Sequence, residues 1–190
     1  MKKFLVLAAL LAAGLAQAEG TYASFTYDQK DKQESTQLNH VYGLNIGQKF
    51  GNGFAVEARM EDEKVDPGAG ATQKQEGLVQ VKGIYDISTG TMFTPYVAAA
   101  VGQKNKSTSD FGFWVGEVGV KAKLNDAFTV RYGWRQRTAF DTTANSYDTK
   151  EQTIALTANL TKVDAIGIRY AQERGTSDYN TTGIFYTRSF

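Results

Sequence analysis

Four tight polar turns punctuate this chain at a nearly constant interval, and the interval limits what the chain can fold into. The turns are Gly51-Asn52-Gly53, Ser88-Thr89-Gly90, Asn125-Asp126 and Lys162-Val163-Asp164, and Gly51, Thr89, Asn125 and Val163 stand 38, 36 and 38 residues apart. Gly, Asn and Asp tolerate the positive φ that tight hairpins require. Longer hydrophilic stretches lie between the turns: Gln29 to Thr36, Glu63 to Gln75, Lys104 to Asp110, Asp141 to Lys150 and Glu173 to Asn180. The segments do not look alike, so the repeat is one of architecture. A unit of about 37 residues holds two strands of roughly 10 residues, one turn and one loop, and such a strand tilted near 40° spans about 25 Å.

Period-2 alternation supports strands. Phe128, Val130, Tyr132 and Trp134 oppose Thr129, Arg131, Gly133, Arg135 and Arg137; Phe54, Val56, Ala58 and Met60 oppose Glu57, Arg59 and Glu61. Trp114, Val118 and Val120 oppose Glu117, Lys121 and Lys123, and Ile166, Ile168 and Tyr170 oppose Arg169. The alternation predicts an all-β chain of ten strands: Thr21–Asp28, Leu38–Lys49, Phe54–Glu63, Gly77–Ile87, Phe93–Gln103, Phe111–Leu124, Phe128–Ala139, Gln152–Thr161, Ala165–Gln172 and Thr182–Phe190. Eight strands remain open if one hairpin is an elaborated loop. Two positions fit poorly: Leu78 and Ile84 share a face with Gln80 and Lys82, and Pro95 falls inside a strand, which places it near a rim or bulge.

Alternation alone does not say which face points inward. A soluble barrel encloses its apolar face, whereas a membrane barrel turns that face to lipid. Aromatic placement favours the second arrangement. Phe50, Phe54, Phe93 and Phe128 adjoin the short turns, while Phe111, Phe113, Trp114, Trp134, Phe140 and Tyr170 sit nearer the loop ends, as two headgroup-level girdles would.

The first residues point to export. Lys2 and Lys3 precede an apolar run from Phe4 to Leu15, and Ala16-Gln17-Ala18 supplies a small-x-small cleavage pattern. The run is shorter than the roughly 20 residues of a membrane helix. Residues 1–18 are therefore expected to be a cleaved signal peptide, and residues 19–190 a single barrel domain. Without Lys2 and Lys3, the 21 basic residues fall to 19 against 20 acidic ones, which argues against nucleic acid as a partner. The absence of cysteine removes thiolate metal sites and Cys nucleophiles.

The last eight residues, Gly183-Ile184-Phe185-Tyr186-Thr187-Arg188-Ser189-Phe190, resemble the C-terminal strand of bacterial outer-membrane β-barrel proteins. Gly183, Ile184, Tyr186 and the terminal Phe190 carry the resemblance; Arg188 departs from it, since an apolar or aromatic residue is usual there. The resemblance implies a single antiparallel up-and-down transmembrane β-barrel in the bacterial outer membrane, with both termini periplasmic. It also implies contact with outer-membrane lipid and lipopolysaccharide, and recognition of the last strand by the barrel assembly machinery. It implies no particular activity, because function resides in sites rather than in this fold.

With the apolar face on lipid, the lumen receives Glu57, Arg59, Glu61, Gln80, Lys82, Glu117, Lys121, Lys123, Arg131, Arg135, Arg137, Arg169 and Glu173. Eight of these are bases and four are acids, which suggests a narrow porin-like channel for passive passage of small anionic solutes. A weaker resemblance is to Arg-lined channels for acidic oligosaccharides, which are usually longer. The alternative is a closed barrel, its core plugged by Arg–Glu pairs and its function carried by surface contacts.

Enzymatic chemistry has little support. The single histidine, His40, alternates with Tyr42, Leu44 and Ile46, which puts it on the lipid side near the outer rim. Glu61-Asp62-Glu63 with Asp66 lacks the ligand spacing of a Ca²⁺ loop, and Gly68-Ala69-Gly70 precedes no helix that could cradle phosphate, so neither metal nor cofactor is expected.

Overall fold

In a computed structural model, residues 20–68, 72–106, 110–141 and 147–190 are described; the proposed signal peptide lies outside them. Ten strands form one closed antiparallel barrel. They are β1 (Gly20–Lys32), β2 (Leu38–Lys49), β3 (Phe54–Asp66), β4 (Lys74–Asp86), β5 (Phe93–Asn105), β6 (Asp110–Lys123), β7 (Phe128–Ala139), β8 (Thr149–Asn159), β9 (Asp164–Gly175) and β10 (Tyr179–Ser189). Each strand pairs with its sequence neighbour, and β1 closes on β10 with Tyr22 opposite Ser189 and Lys32 opposite Tyr179. Closure leaves no unpaired edge, which the interior of a bilayer would not tolerate.

The turn chemistry is local. Gly53 and Gly90 adopt φ of 82° and 68°, and Asn52 Oδ1 accepts the Phe54 N–H at 3.1 Å. Asn125 Oδ1 accepts from Ala127 and Phe128 at 2.9 and 2.8 Å, and Thr161 Oγ1 accepts from Val163 and Asp164 at 3.1 and 2.9 Å. Asp164, assigned to a turn by the sequence reading, is the first residue of β9. Pro95 sits near the turn-end start of β5, where its carbonyl accepts the Ile87 N–H at 2.8 Å.

Strand β2 and strand β7 span the expected residues, whereas β1, β3, β4, β5, β6, β8, β9 and β10 run further toward the loops, β6 by a single residue. Eight of the strands, at 12 to 14 residues, exceed the roughly 9–11 that cross a bilayer core, so their loop ends continue beyond the apolar band. There the outward face needs no apolar residue, and a strand reads as a polar loop.

The outer wall carries Phe25, Leu44, Val97, Val101, Val118, Ile154, Ile168 and Ile184, all exposed. Phe50 and Phe54 stack at the turn end, and Tyr27 lies beside His40 and Tyr42 toward the loops. Two residues expected in the loop-side girdle point the other way. Phe111 and Phe113 are buried inside with Leu78, Ala100, Val115 and Ala139. The neighbouring Trp114 faces out, so period 2 turns both phenylalanines in. The same cluster explains why Leu78 shares a face with Gln80 and Lys82: one sector of the interior is apolar.

Candidate lumen and its ion-pair lattice

Interior glycines let large side chains lie flat against the wall or reach across it. Tyr22 lies over Gly47, Phe113 over Gly102, Tyr96 over Gly119 and Phe185 over Gly167, and each is a directly paired residue on the neighbouring strand. At the seam, Asp28 on β1 pairs in register with Gly183 on β10, which pairs with Arg169 on β9. A Cβ on Gly183 would stand 1.8 Å from Asp28 Oδ1. Its absence opens a path over β10, along which Arg169 Nε donates to Asp28 Oδ1 at 2.6 Å and a second guanidinium nitrogen to Oδ2.

Near the turn end, Glu117 is the hub of a second cluster. It accepts from Tyr96 Oη at 2.8 Å and from Arg131, and Lys82 Nζ lies 3.5 Å away. Tyr96 Oη in turn accepts from Arg131 Nε at 2.8 Å. Lys82 also reaches Glu57 at 3.8 Å, and Tyr22 Oη donates to Glu57 at 3.0 Å. Lys121 pairs with Asp86 at 2.6 Å.

Toward the loops, Glu63 accepts from Lys104 at 2.8 Å and from Asn39 Nδ2 at 2.7 Å, and Lys104 also pairs with Glu76 at 2.9 Å. Glu173 stands 3.9 Å from Lys30 and 3.8 Å from both Arg135 and Arg137. Arg135 donates to Glu151 at 2.8 Å, and Arg59 pairs with Glu61 on its own strand. Several of these pairs skip a strand, as Asp28–Arg169, Lys82–Glu117 and Glu63–Lys104 do, so they bridge the interior rather than follow the sheet.

All nine residues singled out from the sequence, Glu57, Arg59, Lys82, Glu117, Lys121, Arg131, Arg135, Arg137 and Arg169, lie on the inner wall in ion pairs. The positive surplus expected with them is absent from this lattice. Asp28, Glu63, Glu76, Asp86 and Glu151 enter it with only two further bases, Lys30 and Lys104, and Lys123 turns away to Asp126. Nine bases then meet nine acids. Most of the missed groups stand at the strand ends the alternation had assigned to loops.

Net balance hides an asymmetry of access. The Arg131 side chain is 39% exposed against 8% for Glu117, Arg135 is 26% against 5% for Glu173, and Arg169 is 20% against 1% for Asp28. On this side of the wall, carboxylates are packed behind guanidinium groups. The free space is small: a mid-barrel chamber of about 40 Å³ opens toward a mouth of about 210 Å³ bordered by Lys106, Tyr147 and Tyr179. Tyr147 stacks on Phe111 at 4.3 Å and carries Lys106 over its face at 3.8 Å.

His40 lies outside this interior. Its Nδ1 is 2.8 Å from Tyr27 Oη, whereas Asn39 and Val41 on either side are buried within. In the last strand, Gly183 faces inward and Ile184 and Tyr186 are exposed on the outer wall; Phe190, just past the strand, is also exposed. Arg188, out of place for the C-terminal pattern, has a partner in Asp164, 3.4 Å away on β9. Tyr186 Oη donates to the same carboxylate at 2.5 Å.

The profile of the outer membrane protein beta-barrel domain matches residues 4–161, most of the chain. Among curated protein sequences, none matches. An outer membrane channel of Pseudomonas putida superposes with a TM-score of 0.61 at 9% identity, over 93% of this chain and 97% of that one. The KdgM porin in complex with disordered oligogalacturonate superposes with a TM-score of 0.54 at 14% identity, over 88% and 99%. The NanC porin gives 0.52 at 12% identity, over 86% and 98%. At such identities the likeness is one of fold.

Proposed function

Since the chain belongs to the outer membrane protein beta-barrel domain family, and so resides in the bacterial outer membrane, we propose that it is a narrow porin-like channel for small anions. The observation that carries this reading is the unequal exposure of the paired charges. A solute in the lumen meets Arg131, Arg135 and Arg169, while their carboxylates lie behind them. Preorganised cationic groups in a confined lumen attract anions and repel cations even where the summed charge is zero. The neighbouring KdgM porin holds an oligogalacturonate, a chain of carboxylate sugars by its name. The chamber here is small, about 40 Å³, which favours small ions and carboxylates over longer chains.

The narrowness also favours a second reading, a closed barrel in which the lattice serves as a structural core and the loops carry surface contacts. Planar-bilayer recording of the refolded mature chain across a KCl gradient separates the two. Discrete steps with a reversal potential on the chloride side are expected, and Arg131→Ala combined with Arg135→Ala should move that potential toward zero. A silent bilayer, with folding verified by a heat-dependent gel shift, would sink the channel reading.

Export and assembly complete the proposal. Residues 1–18 would be removed after Ala18, so N-terminal sequencing of the outer-membrane protein should read from Glu19. The exposed Ile184, Tyr186 and Phe190 would be presented to the assembly machinery, and the outer wall to lipid and lipopolysaccharide. His40, bonded to Tyr27 on the lipid side, belongs to the aromatic belt rather than to a catalytic group.

A further inference from the structure

We infer that the outer wall over β8, β9 and β10 is a binding site for one molecule of the phosphorylated glycolipid of the outer leaflet, an acyl chain lying in a groove and a phosphate at the loop-side rim. The site rests on the orientation proposed above, termini periplasmic and loops outside, and is independent of conduction.

The lipid-facing wall is not uniform. Between β7 and β1 it is hollowed into an apolar groove of about 650 Å³. Ile154 and Leu156 of β8, Ile168 and Tyr170 of β9, and Ile184 of β10 line it, with the short side chain of Thr182 among them. Lipid tails are as apolar as this lining, so the groove alone offers a chain no more than closer packing. Selectivity has to come from the head of the lipid.

The strand register supplies that head site. Ile154 stands opposite Tyr170; two residues nearer the loops Gln152 stands opposite Gln172, and two further on Lys150 stands opposite Arg174. By parity all of them face outward with the groove lining. Tyr132 Oη donates to Gln152 at 3.2 Å and Gln172 Nε2 donates to Tyr170 Oη at 3.0 Å, which anchors the two amides beneath the two bases. Like charges directly opposite on paired strands repel, and a shared anion removes that cost. Lys150 has no partner among the described residues, and the carboxylate beside Arg174 is Asp178, 3.6 Å away with both side chains 41% exposed. Such an exposed pair is weak and leaves the guanidinium open to a phosphate.

The rest of the rim has the opposite sign. At outward positions near the loops, β1, β3 and β6 carry Asp31, Asp62, Asp66 and Asp110 against Lys64, whereas β7 to β10 carry Lys150 and Arg174 and no acid. Among the described strands, the basic sector is the one that stands over the groove. Four residues from Lys150 to Ile154 make about 13 Å of strand, or about 10 Å of depth at a tilt near 40°. Bases, amides and groove then follow in the order in which the lipid presents phosphate, acyl carbonyl and chain. On the loop side the lipid of this membrane is the phosphorylated glycolipid, while phospholipid faces the turns.

The test is native mass spectrometry of the refolded barrel in detergent, titrated with purified bisphosphorylated lipid A, with folding checked by the heat-dependent gel shift. One lipid A per barrel should be retained, and phosphatidylglycerol or lipid A stripped of its phosphates roughly tenfold less. Lys150→Gln with Arg174→Gln should weaken retention about thirtyfold, the usual loss for two bases at an anionic surface. Thr182→Trp fills the groove and keeps both bases. It should weaken retention too, which separates a seated chain from a head held by charge alone. Retention unchanged in either variant, or matched by phosphatidylglycerol, would overturn the site. Orientation is read separately. Thr176→Cys, in the loop after β9 of a chain without cysteine, should react with a membrane-impermeant maleimide on intact cells. Failure to label would put the rim in the wrong leaflet and overturn the proposal through its orientation, with the bilayer recording left to decide conduction by itself.

Discussion

At the scale of single residues, Gly183 shows how a side chain that is missing organises those that are present. Asp28 and Arg169 stand on strands that do not touch, and only a glycine between them lets the carboxylate and the guanidinium meet over β10. Gly183→Ala would drive a methyl group into Asp28 Oδ1 and separate the pair. Asp28→Asn leaves Arg169 largely buried without its counter-charge, and urea unfolding should register a loss of about 3 kcal/mol. Replacing both partners by leucine should recover much of that loss, because the penalty belongs to the charge left alone. Equal destabilisation by Asp28→Asn and by the paired leucines would show that the ion pair does not close the seam. From the sequence, Gly183 reads only as part of a C-terminal assembly pattern; the role at the seam depends on a register that a single strand does not reveal.

Single elements mark how far the sequence is legible. Strands β2 and β7 could be bounded to the residue because apolar and polar positions alternate along most of their length. Strand β3 was cut at Glu63, yet it continues to Asp66, and β4 begins at Lys74, before the expected Gly77. Outside the apolar band neither face of a strand is selected for hydrophobicity, so period 2 fades while the backbone pairing persists. The same cause hid Lys30, Lys104 and Glu151, which face inward beyond the expected strand ends, whereas Asp28 and Glu63 close their expected strands and were passed over; together these omissions made the lumen look more positive than its ion pairs allow. Phe111 and Phe113 were misplaced for another reason. Aromatic content near a rim suggests a girdle, but only parity with Trp114 decides the face. If the extensions are true ladders, Lys64 and Val65, opposite Gln75 and Lys74, should exchange their amide protons far more slowly than the residues between β1 and β2. Exchange at loop rates in both segments would return those ends to the loops.

For the molecule as a whole, the channel reading gives width and selectivity different origins. In the proposed channel the charged lattice would govern which ions enter, since the guanidinium groups of Arg131, Arg135 and Arg169 face the path and their paired carboxylates lie behind. On the same reading the gauge of the path would be set where the apolar sector presses against that lattice, because Leu78, Phe113 and Val115 line the same chamber as Arg135 and Arg169. Leu78 is the side chain through which the two contributions can be separated. It carries no charge and makes no hydrogen bond, and it packs in a cluster with Ala100, Phe111, Phe113, Val115 and Ala139. Leu78→Ala removes volume from the chamber wall and leaves every ion pair in place. Such a truncation typically destabilises by about 2–5 kcal/mol in a dry core, and less where water can enter the space that is vacated. Single-channel recording should therefore find a larger conductance with the reversal potential unchanged. The Arg131→Ala and Arg135→Ala pair should instead shift the potential. A Leu78→Ala barrel that conducts like the wild type would show that the narrowest point lies elsewhere, among the Tyr96, Glu117 and Arg131 contacts nearer the turns. A changed reversal potential would show that the apolar sector also positions the charges it touches.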